Sequence, residues 1–208
     1  MTITVRRATT AADLRAAFAL RRDVFIGEGI VRGTTDDLFF DVFDTVAEST
    51  VFVAVHDGRV IGTVRTTVDS ELGFPSDDYF DFRSWLPQGG RTSVGASMLC
   101  VAMGRRRSSA AYQLVAQVYA ETVRVGATHV FAAMRPHAVR LVIATGGYAV
   151  AEEFMHPVEQ VPVVPMIADV AGSESAFLDR IRARHAVPDR PTEPGTVIDG
   201  AVITRSTT

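Results

Sequence analysis

Leu99-Cys100-Val101-Ala102-Met103-Gly104-Arg105-Arg106-Arg107-Ser108-Ser109-Ala110 is the stretch that decides the fold. Its first residues close an apolar run that reads as a buried strand over Ser93–Met103. Gly104 permits a tight turn, and small residues then open the clearest helix of the chain, Ser108–Gly126. Along that helix Ala111, Leu114, Val115, Val118, Thr122 and Val125 form one stripe, with Gly126 as its stop. A helix that starts directly after a strand presents unpaired first-turn N–H groups, and its dipole favours an anion there. Arg105, Arg106 and Arg107 add positive charge at that point, while small Ser108, Ser109 and Ala110 let a phosphate approach the backbone. The plainer alternative is a solvated arginine turn capped by Ser108.

On the N-terminal side, Ile3–Val5 is a short β run, and Thr10 caps a helix over Ala11–Glu28 carrying Leu14, Phe18 and Phe25 at helical spacing. Asp36–Glu48 is a second helical candidate. Val51–Val55 and Arg59–Val68 are β-branched runs joined by His56-Asp57-Gly58, a hairpin signal. Ser70–Gly90 reads as a loop with a short helix around Asp77–Trp85. On the C-terminal side, His129–Met134 is a strand and Pro136 opens a short helix closed by Gly146-Gly147. Tyr148–Phe154 and Val158–Val164 are two more strands, followed by a terminal helix over Ser173–His185. The alternation describes one α/β domain, residues 1–187, built on a mixed sheet flanked by helices, with a loosely ordered tail over 188–208.

Composition narrows the chemistry. Among 208 residues there is no lysine and no asparagine, so every basic residue is arginine. A Schiff-base lysine, a Walker-type lysine and an N-glycosylation acceptor are thereby excluded. The net charge of −3 offers no global attraction to nucleic acid. Cys100 is the single cysteine, so no internal disulfide forms. No run approaches the ~18 apolar residues of a membrane span, and no basic-then-apolar leader is visible. A soluble, cytoplasmic protein with no membrane partner is the expectation, as a monomer or homodimer. His56, His129, His137, His156 and His185 show no ligand spacing, so no metal is expected.

The motif Arg105-x-x-Ser108-x-Ala110 after a strand is similar to the pyrophosphate loop of the GNAT superfamily of acyltransferases, with Ser108 where a glycine is commonest. The order of elements from Ile3 to about Val164 resembles that family too. The resemblance implies a splayed sheet whose wedge holds the phosphopantetheine arm of an acyl thioester, supplied by acyl-CoA or an acyl carrier. No tightly bound cofactor is implied. The donor would lie on Leu99, Cys100, Val101 and the segment Arg105, Arg106, Arg107, Ser108, Ser109, Ala110.

In the N-terminal half, Arg21 shares a helical face with Phe18 and Phe25, where a guanidinium needs a partner because a buried unpaired charge is costly. If Asp36–Glu48 is helical, Asp37, Asp41, Asp44 and Glu48 make one acidic stripe. Arg65 supplies a second cation; the alternative is a solvated acidic face. The set Arg21, Phe25, Asp41, Asp44 and Arg65 resembles the pattern of acyl-homoserine lactone synthases and N-acyl amino acid synthases, GNAT-fold enzymes fed by acyl carrier protein. Gly95 and Met98 stand where the lactone synthases carry Glu and Arg. Ile143 stands where many GNAT enzymes carry a tyrosine acid.

Catalysis of acyl transfer is therefore expected to rest on positioning, a backbone N–H near Leu99–Val101 and solvent proton transfer. Alternatively it rests on assistance from Ser97 or a carboxylate of Asp41 or Asp44, with Arg65 in the same catalytic set. Arg21, Phe25, Trp85 and His137 are the acceptor-binding expectation, with Phe74–Trp85 as a lid over the acceptor pocket. The expected function is N-acyl transfer from acyl-CoA, acyl carrier protein or aminoacyl-tRNA to a small-molecule amine in specialised metabolism. The alternative is a non-catalytic GNAT-fold module that binds a ligand or carrier.

Overall fold

The computed structural model describes residues 2–31, 36–86, 93–170, 176–177 and 179–180. In chain order these form β1 (Thr4–Arg7), α1 (Ala11–Gly27), β2 (Ser49–His56), β3 (Arg59–Val68), β4 (Ser93–Val101), α2 (Ala110–Arg124), β5 (His129–Met134), α3 (Val139–Ala144), β6 (Gly147–Ala149), β7 (Phe154–Met155) and β8 (Pro162–Asp169). The strand order is β1-β2-β3-β4-β5-β8-β6, with β7 also paired to β8. Among the described residues the β4–β5 pairing is parallel and the other strand pairings are antiparallel.

That parallel pair is brief. Ser93, Val94 and Gly95 pair with His129, Val130 and Phe131, after which the two strands part. Each remains paired on its far side, β4 to β3 as far as Val101 and β5 to β8 as far as Met134. The sheet is thus two half-sheets hinged at three residue pairs, open at the C-terminal ends of β4 and β5.

Alternation along the strands assigns the faces. Phe52, Ala54, Val64 and Val94 pack under Leu114, Val115 and Val118 of α2. Val51 and Val53 turn the other way, onto Ala17 of α1. Arg65, one residue after Val64, consequently points to the α1 face. A register shift in β4, with Met98 at φ 57, displaces the alternation, so Leu99 joins the α2 side and Cys100 the α1 side.

Thr10 caps α1 as its sequence requires, its side chain accepting from Asp13 N at 3.1 Å. Gly29, at φ +70, ends the helix by turning Ile30 N back to Phe25 O. Asp57 and Gly58, both at positive φ, close the β2–β3 hairpin.

Four expectations need correction. Asp36–Glu48 is not a helix; a single 3-10 turn, Val42–Thr45, replaces it. Asp41 and Asp44 spend their side chains on nearby backbone N–H groups, a reciprocal cap that competes with helix propagation. Tyr148–Phe154 is two short strands rather than one. The Pro165 carbonyl accepts from Val150 N, but the proline has no N–H to return, and the pairing stops there. Val158–Val164 is shifted, because His156 N bonds Val161 O and closes a turn before β8 begins at Pro162. Asp77–Trp85 shortens to a 3-10 turn over Phe82–Trp85. The 188–208 tail and most of Ser173–His185 lie outside the described residues.

Candidate functional site

The opening between β4 and β5 leads into a cavity of about 810 Å³. It reaches from the turn before α2, past the parted strands, to a polar group of side chains beneath α1. Its apolar walls include Val115 and Val118 from α2, Leu141 and Val142 from α3, and Val163 and Met166 from β8.

At the polar end, four charged side chains form a cage. Arg21 is completely buried, and its Nη1 donates to both oxygens of Asp44 at 2.9 and 2.8 Å. Arg65, also completely buried, spans the 2.9 Å to Asp44, donates through Nη1 and Nη2 to Asp41, and donates from Nε to Ser97 Oγ at 3.1 Å. Phe18 lies 5.0 Å below the Arg21 guanidinium, and Phe43 lies 5.6 Å from that of Arg65. Burial pulls Arg21 below its ordinary basicity and Asp44 opposes that shift; arginine is basic enough to stay a cation. Two cations and two anions make the cage neutral, which is the condition under which charges tolerate burial. The Asp44 side chain is fully enclosed, whereas that of Asp41 is 34% exposed and lines the cavity.

Of the acidic residues placed on one stripe, only Asp41 and Asp44 turn inward; Asp37 and Glu48 are exposed. Asp41, Arg65, Ser97, Phe25 and His137 line the cavity, as do Leu99, Cys100, Val101, Arg106 and Ser108. Arg21 and Asp44 stand behind the wall as the buried half of the cage. Arg105, Arg107, Ser109 and Ala110 lie outside it, and Trp85, 52% exposed, does not reach it. The lid splits: Pro75, Asp78 and Tyr79 face the cavity, while Phe74 and Phe82 are buried against Phe131. Cys100 is buried and its thiol is pushed up to about 12, chiefly by desolvation, so it is a packing residue and not a thiolate nucleophile.

At the mouth, Ala102 leads into a 3-10 turn over Met103–Arg105. Ser109 makes no side-chain cap on α2, while Ser108 Oγ accepts from Ala110 N at 3.3 Å. Ser108 satisfies one N–H of the helix start, and the arginines around it are exposed, as in the plainer reading of this turn.

Sequence reasoning missed Glu28, Tyr79, Arg135, His156 and Glu159, all in the cavity wall. Tyr79 packs on His156 with ring centroids 4.2 Å apart, and burial, assisted by Glu159, pushes its phenol above the ordinary value. These residues come from a loop, a helix cap and two strand ends, so no spacing in the chain joins them. Among the described residues no cluster of His, Cys, Asp and Glu is placed to hold a metal, and no helix is long and apolar enough to cross a membrane.

A mixed sheet split between two parallel strands, with an arginine-rich turn and helix start at the mouth and an apolar cavity through the split, defines a GNAT-fold acyltransferase. The chain belongs to the family of the N-acyl amino acid synthase FeeM, whose sequence profile matches residues 16–169. No curated protein matches it in sequence. Among solved structures, it is similar to FeeM, an N-acyl amino acid synthase from uncultured soil microbes, with a TM-score of 0.73 at 14% identity over 86% of this chain and 98% of that one. It is also similar to BjaI, a CoA-dependent acyl-homoserine lactone synthase solved with SAM and isopentyl-CoA, at TM-score 0.67 and 20% identity over 95% of each chain. MesI, another CoA-dependent acyl-homoserine lactone synthase, gives 0.65 at 14% identity over 96% of this chain and 100% of that one. These likenesses establish the fold.

Proposed function

We propose that the protein is an N-acyltransferase that moves an acyl group from a phosphopantetheine thioester to the amine of a small molecule, with amino acids as the first acceptors to test. The observation that carries this reading is the cavity itself, continuous from the turn before α2 to the Arg65–Asp41–Ser97 cage. Beyond Gly95 the edge of β4 facing β5 has no strand partner among the described residues. An open strand edge pairs with any amide-bearing chain, and a pantetheine arm is one. The apolar walls beyond it suit an acyl chain.

The acceptor nitrogen attacks the thioester carbonyl carbon, the C–S bond breaks, and the thiolate leaves with a proton while the nitrogen loses one. Asp41 is the cage carboxylate that borders the cavity, and Ser97 carries the hydroxyl beside it; they are the groups suited to orient the amine. Arg65 holds both, and Arg21 with Asp44 holds Arg65. Gly95 and Met98 supply no base and the Ile143 side no acid, so positioning carries most of the rate, an effect worth up to about 7–11 kcal/mol.

The test offers acyl-CoA, acyl carrier protein and aminoacyl-tRNA as donors to a panel of amino acids and other amines, with product amides read by mass spectrometry. Amide from at least one donor is expected; none across the panel overturns the reading. The absence of a base and an acid at the two usual places favours, as a second reading, a binding-only module. Ligand-induced stabilisation without turnover would support that instead.

A further inference from the structure

We infer that Arg106 and Arg135 form a two-guanidinium clamp for the donor's phosphate, and that the Glu28 carboxylate occupies this clamp as a stand-in that the donor displaces. This rests on the acyl-donor reading above. Glu28 is the C-cap of α1, held at the mouth because Gly29 turns the chain sharply there. The end of α1 approaches the donor turn so closely that a Cβ on Gly27 would lie 3.3 Å from Met103 Sδ.

The two arginines come from opposite sides of the split. Arg106 follows β4 and precedes α2, and Arg135 follows β5 directly. Since β4 and β5 are parallel, their C-terminal ends lie on the same side of the sheet. Glu28 Oε1 accepts from Arg106 Nη2, and Glu28 Oε2 lies 4.0 Å from Arg135 Nη1. All three residues line the cavity, and the Glu28 side chain is only 17% exposed.

Arg135 is the telling member. Its Nε and Nη1 are buried without a hydrogen-bond acceptor among the described residues. A guanidinium presents a planar fork of donors that fits carboxylate and phosphate oxygens. Glu28 satisfies Arg106 but stands too far to satisfy Arg135. The CoA pyrophosphate presents four terminal oxygens and two negative charges, so it can serve both forks together, and the phosphodiester of a holo-carrier protein presents two terminal oxygens, one for each fork. In the free protein Glu28 balances one of the two guanidinium charges; in the donor complex it is released, and its departure reduces the apparent donor affinity by the strength of the pair it gives up.

The experiment measures binding of CoA, holo-carrier protein, phosphopantetheine, pantetheine and inorganic pyrophosphate to the wild type and to Glu28→Gln, Arg135→Lys and Arg135→Met. Thermal melting of each variant verifies folding. Glu28→Gln is expected to tighten the phosphate-bearing probes about tenfold and leave pantetheine unchanged. Arg135→Met weakens them about tenfold, and Arg135→Lys recovers part of the loss. The response of CoA against that of holo-carrier protein identifies the source of the phosphate. Weaker or unchanged binding of phosphate-bearing probes to Glu28→Gln overturns the clamp. If no pantetheine-bearing probe binds, the acyl-donor reading fails, and pyrophosphate still decides the clamp by whether Glu28→Gln gains affinity that Arg135→Met loses.

Discussion

Asp44 stands between two completely buried guanidinium groups, and each of its oxygens is used by them or by Asp41 N. Removing its charge leaves Arg21 and Arg65 facing each other in the interior with Asp41 alone to compensate. Asp44→Ala is therefore expected to cost about 3–5 kcal/mol of stability, the loss typical of breaking a buried pair. Asp41→Ala, at a site one-third exposed, should cost distinctly less; denaturant titration of both variants measures the difference. Cys100 gives a second expectation. Its thiol is buried and pushed up to about 12, so iodoacetamide at pH 8 should leave the folded protein unmodified and label it only after unfolding. Mass spectrometry of the intact chain reads this directly, and rapid native labelling would contradict the packing role.

Elements are joined here by short polar links as well as by the apolar core. β1 is tied to the first turn of α1 by Arg6 and Asp13, whose contacts are 2.5 and 2.8 Å. The hydrogen bond from Arg6 holds the Asp13 carboxyl down at about 2, against desolvation and with help from Thr10. A carboxyl depressed in the folded state stabilises above its unfolded pKa and loses that contribution as pH falls through the folded one. The β1–α1 link is thus complete above about pH 4 and lost as the pH approaches 2. Acid titration followed by NMR of Asp13, compared with the Arg6→Ala variant, should show the midpoint return toward the ordinary aspartate value in the variant. The same scale explains how β6 closes the sheet. A Cβ on Gly147 would lie 2.4 Å from Val142 Cγ1, so only glycine lets α3 pack so close to that edge.

For the whole molecule, the proposed acyl transfer requires the sheet to stay open. The split is held by three pairs at one end and by the helices on either face, and it exposes a strand edge along the cavity. A donor that fills the split binds only the folded chain, so it raises stability by mass action, about 2.7 kcal/mol at 100 times its Kd. Thermal unfolding with and without saturating CoA should show this stabilisation. Because Arg105, Arg106 and Arg107 are exposed, moving from 0.05 to 0.5 M salt should weaken it. Loss of the shift in an Arg105→Ala, Arg106→Ala, Arg107→Ala triple variant would locate it at the turn before α2. A salt-insensitive shift would place the ligand elsewhere.

Read alone, the chain already determined the β2–β3 hairpin, the capped start of α1, the apolar stripe of α2, the arginine turn before it and the need of Arg21 for an acidic partner. Each of these is a local pattern, set by spacings of two to four residues, by glycine at a turn or by the cost of one unpaired charge. Tertiary structure alone decided where β4 and β5 part, how Asp41 and Asp44 leave a helical stripe to meet Arg21 and Arg65, and how Glu28 comes to lie between Arg106 and Arg135. Those outcomes depend on contacts between residues tens of positions apart, whose energy appears only when the sheet has assembled and water has left the space between them.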